Sequence, residues 1–344
     1  MRVALVGLGE IGLAAHLPAL LRHPSVEVVQ LVDPDPERRK TAAGQGIPVT
    51  ADLTPGTTDG LSGGVDGGTS GGSTGGRSRG LTGGVEGVVL ATPPWVTPEL
   101  VVRFAGAGLF VLAEKPVATS VEAARIYDRL DGEQRRRVQI GLTYRHDPAI
   151  RQLKRWIDDG TLGTPVLVRA HIYDEAYDPA DREHAERITR TLEHGSPVVH
   201  EGAHIFDWLS YLLGPPTVHD AWSATTRPGL PAPNLIGARL GYPGGHQALV
   251  EFGWFTAALP RCELTFLGDR GLAALDGFTF ELRLSTAAGD REVRFPGDRT
   301  TRCFDLQVQR FVELYDGTRK AGVPSLDDGI AALHTAQLVA GRAG

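Results

Sequence analysis

A chain of 344 residues exceeds what one hydrophobic core usually supports, so two domains are expected, and a 41% hydrophobic content is ample for both. Its net charge of -6, from 35 basic and 41 acidic side chains without a basic block, argues against nucleic acid as a partner. No run approaches the roughly 18 apolar residues of a membrane span, and Met1 leads into a strand without a basic n-region or cleavage site, so a cytoplasmic protein with no membrane partner is expected.

The first dozen residues carry the strongest local signal. An apolar run, Val3 to Val6, passes into Gly7-Leu8-Gly9-Glu10-Ile11-Gly12 and then into a helix-like stretch from Leu13 to Leu21. A glycine triplet placed between a strand and a helix is the pattern that admits a dinucleotide. Gly7 allows the tight turn, Gly9 lets the backbone approach a pyrophosphate, and Gly12 lets helix and strand pack closely. The helix start then offers free N-H groups and a positive dipole end to the phosphates. A second apolar run, Val26 to Val32, ends at Asp33, about 20 residues past the glycines, where a ribose-binding acid belongs. Its carboxylate favours NAD by accepting the ribose 2'-hydroxyl, while Arg38 and Arg39, one helical turn on, leave NADP open.

Pro34-Asp35-Pro36 opens a polar helix, Glu37 to Gly44, leading to a short run at Ile47 to Val49. From Pro55 to Gly84 the chain becomes a Gly/Ser/Thr tract that buries too little apolar surface to offset its ordering entropy, and it reads as a flexible insertion. Beyond it, strand Val85 to Ala91 ends in Thr92-Pro93-Pro94, helix Pro98 to Ala107 stops at Gly108, and strand Leu109 to Ala113 runs into Glu114-Lys115-Pro116. A helix, Val121 to Leu130, and a strand, Arg137 to Leu142, complete an alternating β/α series. Such a series predicts a doubly wound parallel sheet (α/β) over residues 1–143, with ligands at the carboxyl ends of its strands.

Residues 144–344 read as an α+β domain with an open, mainly antiparallel sheet. After helix Pro148 to Asp159 come strand-like runs at Val166 to Tyr173, His246 to Phe255, Arg261 to Leu267, Phe278 to Ser285 and Arg291 to Phe295. One short helix, about His200 to Leu213, lies between the first two. Two helices, Phe304 to Tyr315 and Asp327 to Ala340, end the chain. Cys262 and Cys303 match no metal or redox spacing and read as buried or incidental thiols.

Lysine is scarce, with only Lys40, Lys115, Lys154 and Lys320. Lys115, at the end of an apolar strand and beside a proline, reads as a placed ammonium that polarises a substrate oxygen. On a helix, His200, His204, Asp207 and Tyr211 share one face, so two imidazoles and a carboxylate point the same way, with His204 the acid-base candidate. The string His200-Glu201-Gly202-Ala203-His204 also spells the H-E-x-x-H zinc motif. Gly202 is a poor mid-helix residue, no third ligand follows at a helical spacing, and no metal is expected.

Taken together, the glycine fingerprint, Ala91-Thr92-Pro93-Pro94, Ala113-Glu114-Lys115-Pro116, Tyr144-Arg145-His146-Asp147-Pro148 and Glu201-Gly202-Ala203-His204-Ile205-Phe206-Asp207 resemble the glucose-fructose oxidoreductase, inositol dehydrogenase and MocA family over nearly the whole chain. The resemblance implies a Rossmann NAD(P) domain followed by a substrate and oligomerisation domain, hence a homodimer or homotetramer. It implies an oxidoreductase moving hydride between nicotinamide and a secondary hydroxyl or ketone of a sugar, cyclitol or similar polar small molecule. An imine reductase, a redox-neutral enzyme recycling its NAD, or a non-catalytic NAD-binding sensor remain open on the same scaffold. The catalytic residues implied are Lys115 and His204, with His200 standing where many relatives carry aspartate or asparagine. Cofactor contacts are expected from Gly7, Gly9, Glu10, Ile11, Gly12, Asp33, Thr92, Pro93, Glu114 and Lys115, and substrate contacts from Tyr144, Arg145 and Asp207. Thr97, where many relatives have histidine, is expected to reshape the nicotinamide or substrate edge.

Overall fold

A computed structural model describes residues 1–53 and 84–343; the glycine-rich tract, Gly84 excepted, lies outside the described residues. The first half alternates β1 (Arg2–Val6), a π-helical turn (Gly12–His16) continued by α1 (Leu17–Arg22), β2 (Glu27–Val32), α2 (Pro36–Ala42), β3 (Val49–Thr50), β4 (Gly87–Leu90), α3 (Thr97–Gly106), β5 (Phe110–Glu114), the short α4 (Val121–Ala124), α5 (Gly132–Arg136) and β6 (Val138–Gly141). The strands form one parallel sheet in the order β3-β2-β1-β4-β5-β6. β1 shows why it forms. Val3 and Leu5 pack with Leu17 and Leu20 of α1 on one face, while Ala4 and Val6 pack with Val101 and Phe104 of α3 on the other. A strand apolar on both sides is what a helix-covered parallel sheet requires.

After α6 (Pro148–Asp158) the chain builds β7 (Leu167–Ala176), α7 (Arg182–Leu192), α8 (Pro197–His200), α9 (Gly202–Leu213), β8 (Thr217–Ala224), β9 (Leu235–Gly241), β10 (Gln247–Thr256), β11 (Glu263–Leu267), β12 (Gly271–Asp276), β13 (Leu282–Thr286) and β14 (Gly289–Val293). Their order is β14-β13-β12-β11-β7-β10-β9-β8, antiparallel except between β7 and β10. Three helices and two further strands, β8 and β9, thus occupy the segment where the sequence predicts a single helix, and β12 adds a strand after the Gly268 turn. The helix expected over 121–130 is α4 followed by a 3-10 run to Arg129.

The inner face of the second sheet, including Val168, Ala170, Val250, Phe252 and Phe266, joins Phe206 and Leu209 of α9 in one core that continues into the first domain. The last two helices, α10 (Arg299–Tyr315) and α11 (Leu326–Arg342), then return to the first sheet. Phe304, Val308 and Phe311 share the cluster of Val3 and Leu5. Just before α11, the Ile140 N-H donates to the Pro324 carbonyl at 2.9 Å. The turn after β5 meets α8 through Lys115 and the His200 carbonyl, and the turn after β6 meets α9 through Arg145 and Asp207. No described helix is long and apolar enough to cross a membrane.

Candidate active site

The glycine loop is shaped by close backbone packing. Gly7 has φ of +95°, and a Cβ there would lie 2.2 Å from the Ala91 carbonyl oxygen; a Cβ on Gly12 would lie 2.1 Å from the Gly7 oxygen. At Gly9 the nearest atom is Arg38 Nη1, 4.0 Å away, so the loop is open to an incoming group on that side. No side chain caps the helix that follows. Glu10 is exposed, and Ile11 presents a 44% exposed apolar side chain beside it. An open glycine, an uncapped helix start and a neighbouring apolar edge together fit a dinucleotide's pyrophosphate and ring.

Asp33 is buried, and both its oxygens accept backbone N-H groups, from Leu8 at 2.8 Å and from Asp35 at 2.9 Å. It therefore ties the glycine loop to the end of β2, besides any ribose contact. Arg38 stands 3.7 Å from this carboxylate, half-exposed, whereas Arg39 donates to the carbonyls of Asp33 and Pro34 and is spent on the turn. Thr92 and Pro93 lie beside Gly7 and are fixed from below. The Thr97 hydroxyl bonds Thr92 Oγ1 at 2.8 Å and donates toward the Thr92 and Pro93 carbonyls. Thr97 is fully buried. It clamps the turn from inside.

Glu114 is nearly buried and does not point freely at a ligand. Its Oε1 is 2.7 Å from His16 Nε2 and its Oε2 accepts the Lys115 N-H, so it links α1 to the start of the Lys115 turn. Lys115, with an 18% exposed side chain, donates Nζ to Glu201 Oε1 and to the His200 carbonyl, each at 3.2 Å. Burial works to lower the ammonium, but Glu201 and Glu114 outweigh it, and Lys115 is held above the ordinary lysine range. Burial likewise works to raise Glu201; Lys115 and His204 outweigh it and hold that carboxyl down. The two ionised groups stabilise one another.

α8 and α9 run on through Glu201, which keeps helical dihedrals, so the shared face exists. Its residues nevertheless serve different partners. The His200 ring stacks on Trp254, centroids 5.7 Å apart, and only its carbonyl reaches Lys115. Burial and the Lys115 charge push the His200 imidazole down to about 4. The His204 ring lies 4.4 Å from Tyr144, and burial, then Lys115, push it down to about 3. It is a neutral base near neutral pH. Arg145 and Asp207, expected at the substrate, bind each other in a bidentate pair that Asp328 of α11 extends at 3.2 Å. The pair joins the turn after β6 to α9 and α11.

Tyr144, Asp174, Glu201, His204, Trp208 and Arg299 line a cavity of about 90 Å³. Glu201, Asp174 and Arg299 escaped the sequence reading. Glu201 was hidden inside the zinc-like string. Asp174 on β7 and Arg299 on α10 belong to no motif, and only the fold brings them to His204. Among the described residues no three His, Cys, Asp or Glu side chains cluster as a metal set.

Residues 1–142 match the profile of an oxidoreductase family with an NAD-binding Rossmann fold, and residues 150–274 match the GFO/IDH/MocA C-terminal domain. The chain is 28% identical to the rhizopine catabolism protein MocA of Rhizobium meliloti, over 98% of this chain and 93% of that one. It is also 28% identical to inositol 2-dehydrogenase 4 of Saccharopolyspora erythraea, over 96% and 90%. The WlbA dehydrogenase of Bordetella pertussis, crystallised with NADH and UDP-GlcNAcA, superposes with a TM-score of 0.76 at 21% identity, covering 100% of this chain and 95% of that one. The chain belongs to the Gfo/Idh/MocA family of NAD-binding oxidoreductases.

Proposed function

We propose that the protein is an NAD-dependent dehydrogenase of a secondary hydroxyl, or reductase of the corresponding ketone, on a cyclitol, sugar or similar polar metabolite. The observation that carries this reading is the pairing, at one small cavity, of a neutral His204 with the Lys115-Glu201 ion pair. The Gly7–Gly12 loop, Asp33 and the Thr92-Pro93 turn would hold NAD, which would supply the hydride acceptor or donor. In oxidation, the carbinol carbon loses hydride while its hydroxyl proton passes to His204. Lys115 stabilises the oxygen as its charge grows. His204 is neutral and so has a lone pair free for the proton; burial and Lys115 weaken it as an acceptor, the Glu201 charge offsets part of that, and in the reverse direction it returns the proton. Tyr144, tilted against the His204 ring and under the Arg299 guanidinium at 4.5 Å, forms part of the cavity wall.

Homo-oligomers are also proposed, through the outer face of the second sheet. Leu249, Leu267, Leu272 and Trp222 are exposed there, on rows of one face by strand register.

The test of activity is NADH formation from NAD with a panel of cyclitols and sugars, read by near-ultraviolet absorbance. Reduction of NAD by a member of the panel, lost about 10²–10⁴-fold in His204→Gln, is expected. Full activity in that variant would refute the role of His204.

A further inference from the structure

One helix of the second domain is held to the rest of the protein by little buried surface. Of the 11 residues of α7 only Ile188 and Leu192 are buried, and they pack with Trp254 and Phe255 in a small cluster apart from the main core. α9, by contrast, buries ten of its 12 residues in that core. A segment with so few buried apolar contacts opens at a small fraction of the cost of global unfolding.

Both ends of α7 nonetheless border the first domain. Near its start, His184 Nε2 lies 3.3 Å and Arg187 Nη2 3.8 Å from the Glu175 carboxylate of β7. Burial, helped by the Glu201 and Glu10 charges and opposed by Arg187 and His184, holds the Glu175 carboxyl above its usual range, so Glu175 stands within reach of Glu10 on the glycine loop. Just past the end of α7, the His194 imidazole stacks on the Trp95 indole, ring centroids 4.2 Å apart and planes 28° from parallel. Trp95 follows Thr92-Pro93-Pro94, the turn after β4 that packs on Gly7. α7, roughly 16 Å long at 1.5 Å per residue, thus reaches from one cofactor-facing segment of the first domain to the other. Trp95 is 54% exposed and His194 is exposed, so their stack can part without opening either core. Beyond His194, Gly195 at φ of +141° turns the chain into α8, whose His200 carbonyl accepts the Lys115 ammonium.

We propose that α7 is a lid over the cofactor cleft and that the Trp95-His194 stack is its latch, closed over bound NAD and parted for the cofactor to leave. The inference rests on NAD at the glycine loop and goes beyond the dehydrogenase reading, since it holds whatever substrate is turned over. The latch joins the turn after β4 to the second domain, and through Gly195 the closed lid also steadies the α8 carbonyl that holds Lys115. His194 acts through Trp95 and α7 and is a positioning residue.

The test is the release of NADH from the full chain, followed by stopped-flow fluorescence on chasing with excess NAD, together with amide hydrogen exchange of residues 182–192 with and without NADH. In native protein NADH should slow exchange across α7. His194→Ala should release NADH at least about threefold faster, the loss expected of one aromatic pair, and its α7 should exchange nearly as fast with NADH as without. Trp95→Leu should do the same, and the double variant should add little to either single one, because each removes the same contact. His194→Phe, which keeps a stacking ring, should stay near native. Melting temperatures without NADH should match native in all four, since both rings are exposed. An unchanged release rate in His194→Ala overturns the proposal, as does α7 exchange that NADH does not slow. Faster release in Trp95→Leu alone overturns it too, because the indole would then act on the cofactor directly and not as half of a latch.

Discussion

The charge on Lys115 is held by Glu201, one residue beyond His200. Replacing Glu201 by glutamine removes the main counter-charge of a buried ammonium, so the Lys115 pKa should fall. With four lysines in the chain, 13Cε-lysine NMR resolves the titration, and Lys115→Arg assigns its signal. An unchanged Lys115 titration in Glu201→Gln would show that the contact is incidental. Glu114 also supports the Lys115 charge and is unchanged in that variant. Lys115 itself was legible in the sequence because its triplet follows a strand. Glu201 was legible only as a letter in a zinc-like string, since nothing local says that it meets a lysine 86 residues earlier. Arg145 and Asp207 read as substrate ligands for the same reason: a sequence shows polar residues near a site, not that they have already found each other.

At the scale of elements, the glycine fingerprint works by excluding side chains. Gly12→Ala would press a methyl against the Gly7 carbonyl and should destabilise the fold by about 1–3 kcal/mol while weakening NADH binding. Thermal melts with and without NADH check this, and a native-like melt would mean that the loop yields more easily than its packing suggests. The β2-α2 turn bears on cofactor choice. Arg39 is engaged by backbone carbonyls and Arg38 faces the Asp33 carboxylate, so NADH should bind more tightly than NADPH. A titration giving the opposite order would mean that Arg38 leaves Asp33 for a 2'-phosphate. In the first domain β1 and β4 were readable because both of their faces are apolar. α7 was not, since only Ile188 and Leu192 of its 11 residues are buried, and β8 was not, since a register shift between Val218 and Asp220 breaks its alternation.

Across the whole molecule, two sheets share one core, and the last two helices close the chain back onto the first sheet. Such a body carries buried histidines into the folded state uncharged. His146, packed beneath the Tyr144-Arg145 turn, is pushed from 6.5 to about 3 by burial and then by Arg310. Below about 6.5 the unfolded chain takes up a proton that the folded one refuses, so this stability contribution is lost progressively as pH falls from there toward about 3. His146→Gln should therefore flatten the decline of melting temperature across that interval, and an unaltered decline would assign it to other groups. The fold class and the two-part layout were legible from the alternation of elements and the motifs. The return of α10 to β1 was not, because Phe304, Val308 and Phe311 show an apolar face without showing its partner.

The central claim is that a carbinol hydrogen leaves the substrate as hydride for nicotinamide in the cavity beside Lys115 and His204. The most direct measurement is isotope transfer: an alcohol that reduces NAD, deuterated at its carbinol carbon, is incubated with native enzyme and Lys115→Ala, and the NADH is weighed by mass spectrometry. The account predicts NADH carrying one deuteron from native enzyme, and the same product formed about 10²–10⁴-fold more slowly by the variant with NADH binding retained. NADH without deuterium, or an undiminished rate in Lys115→Ala, would contradict it.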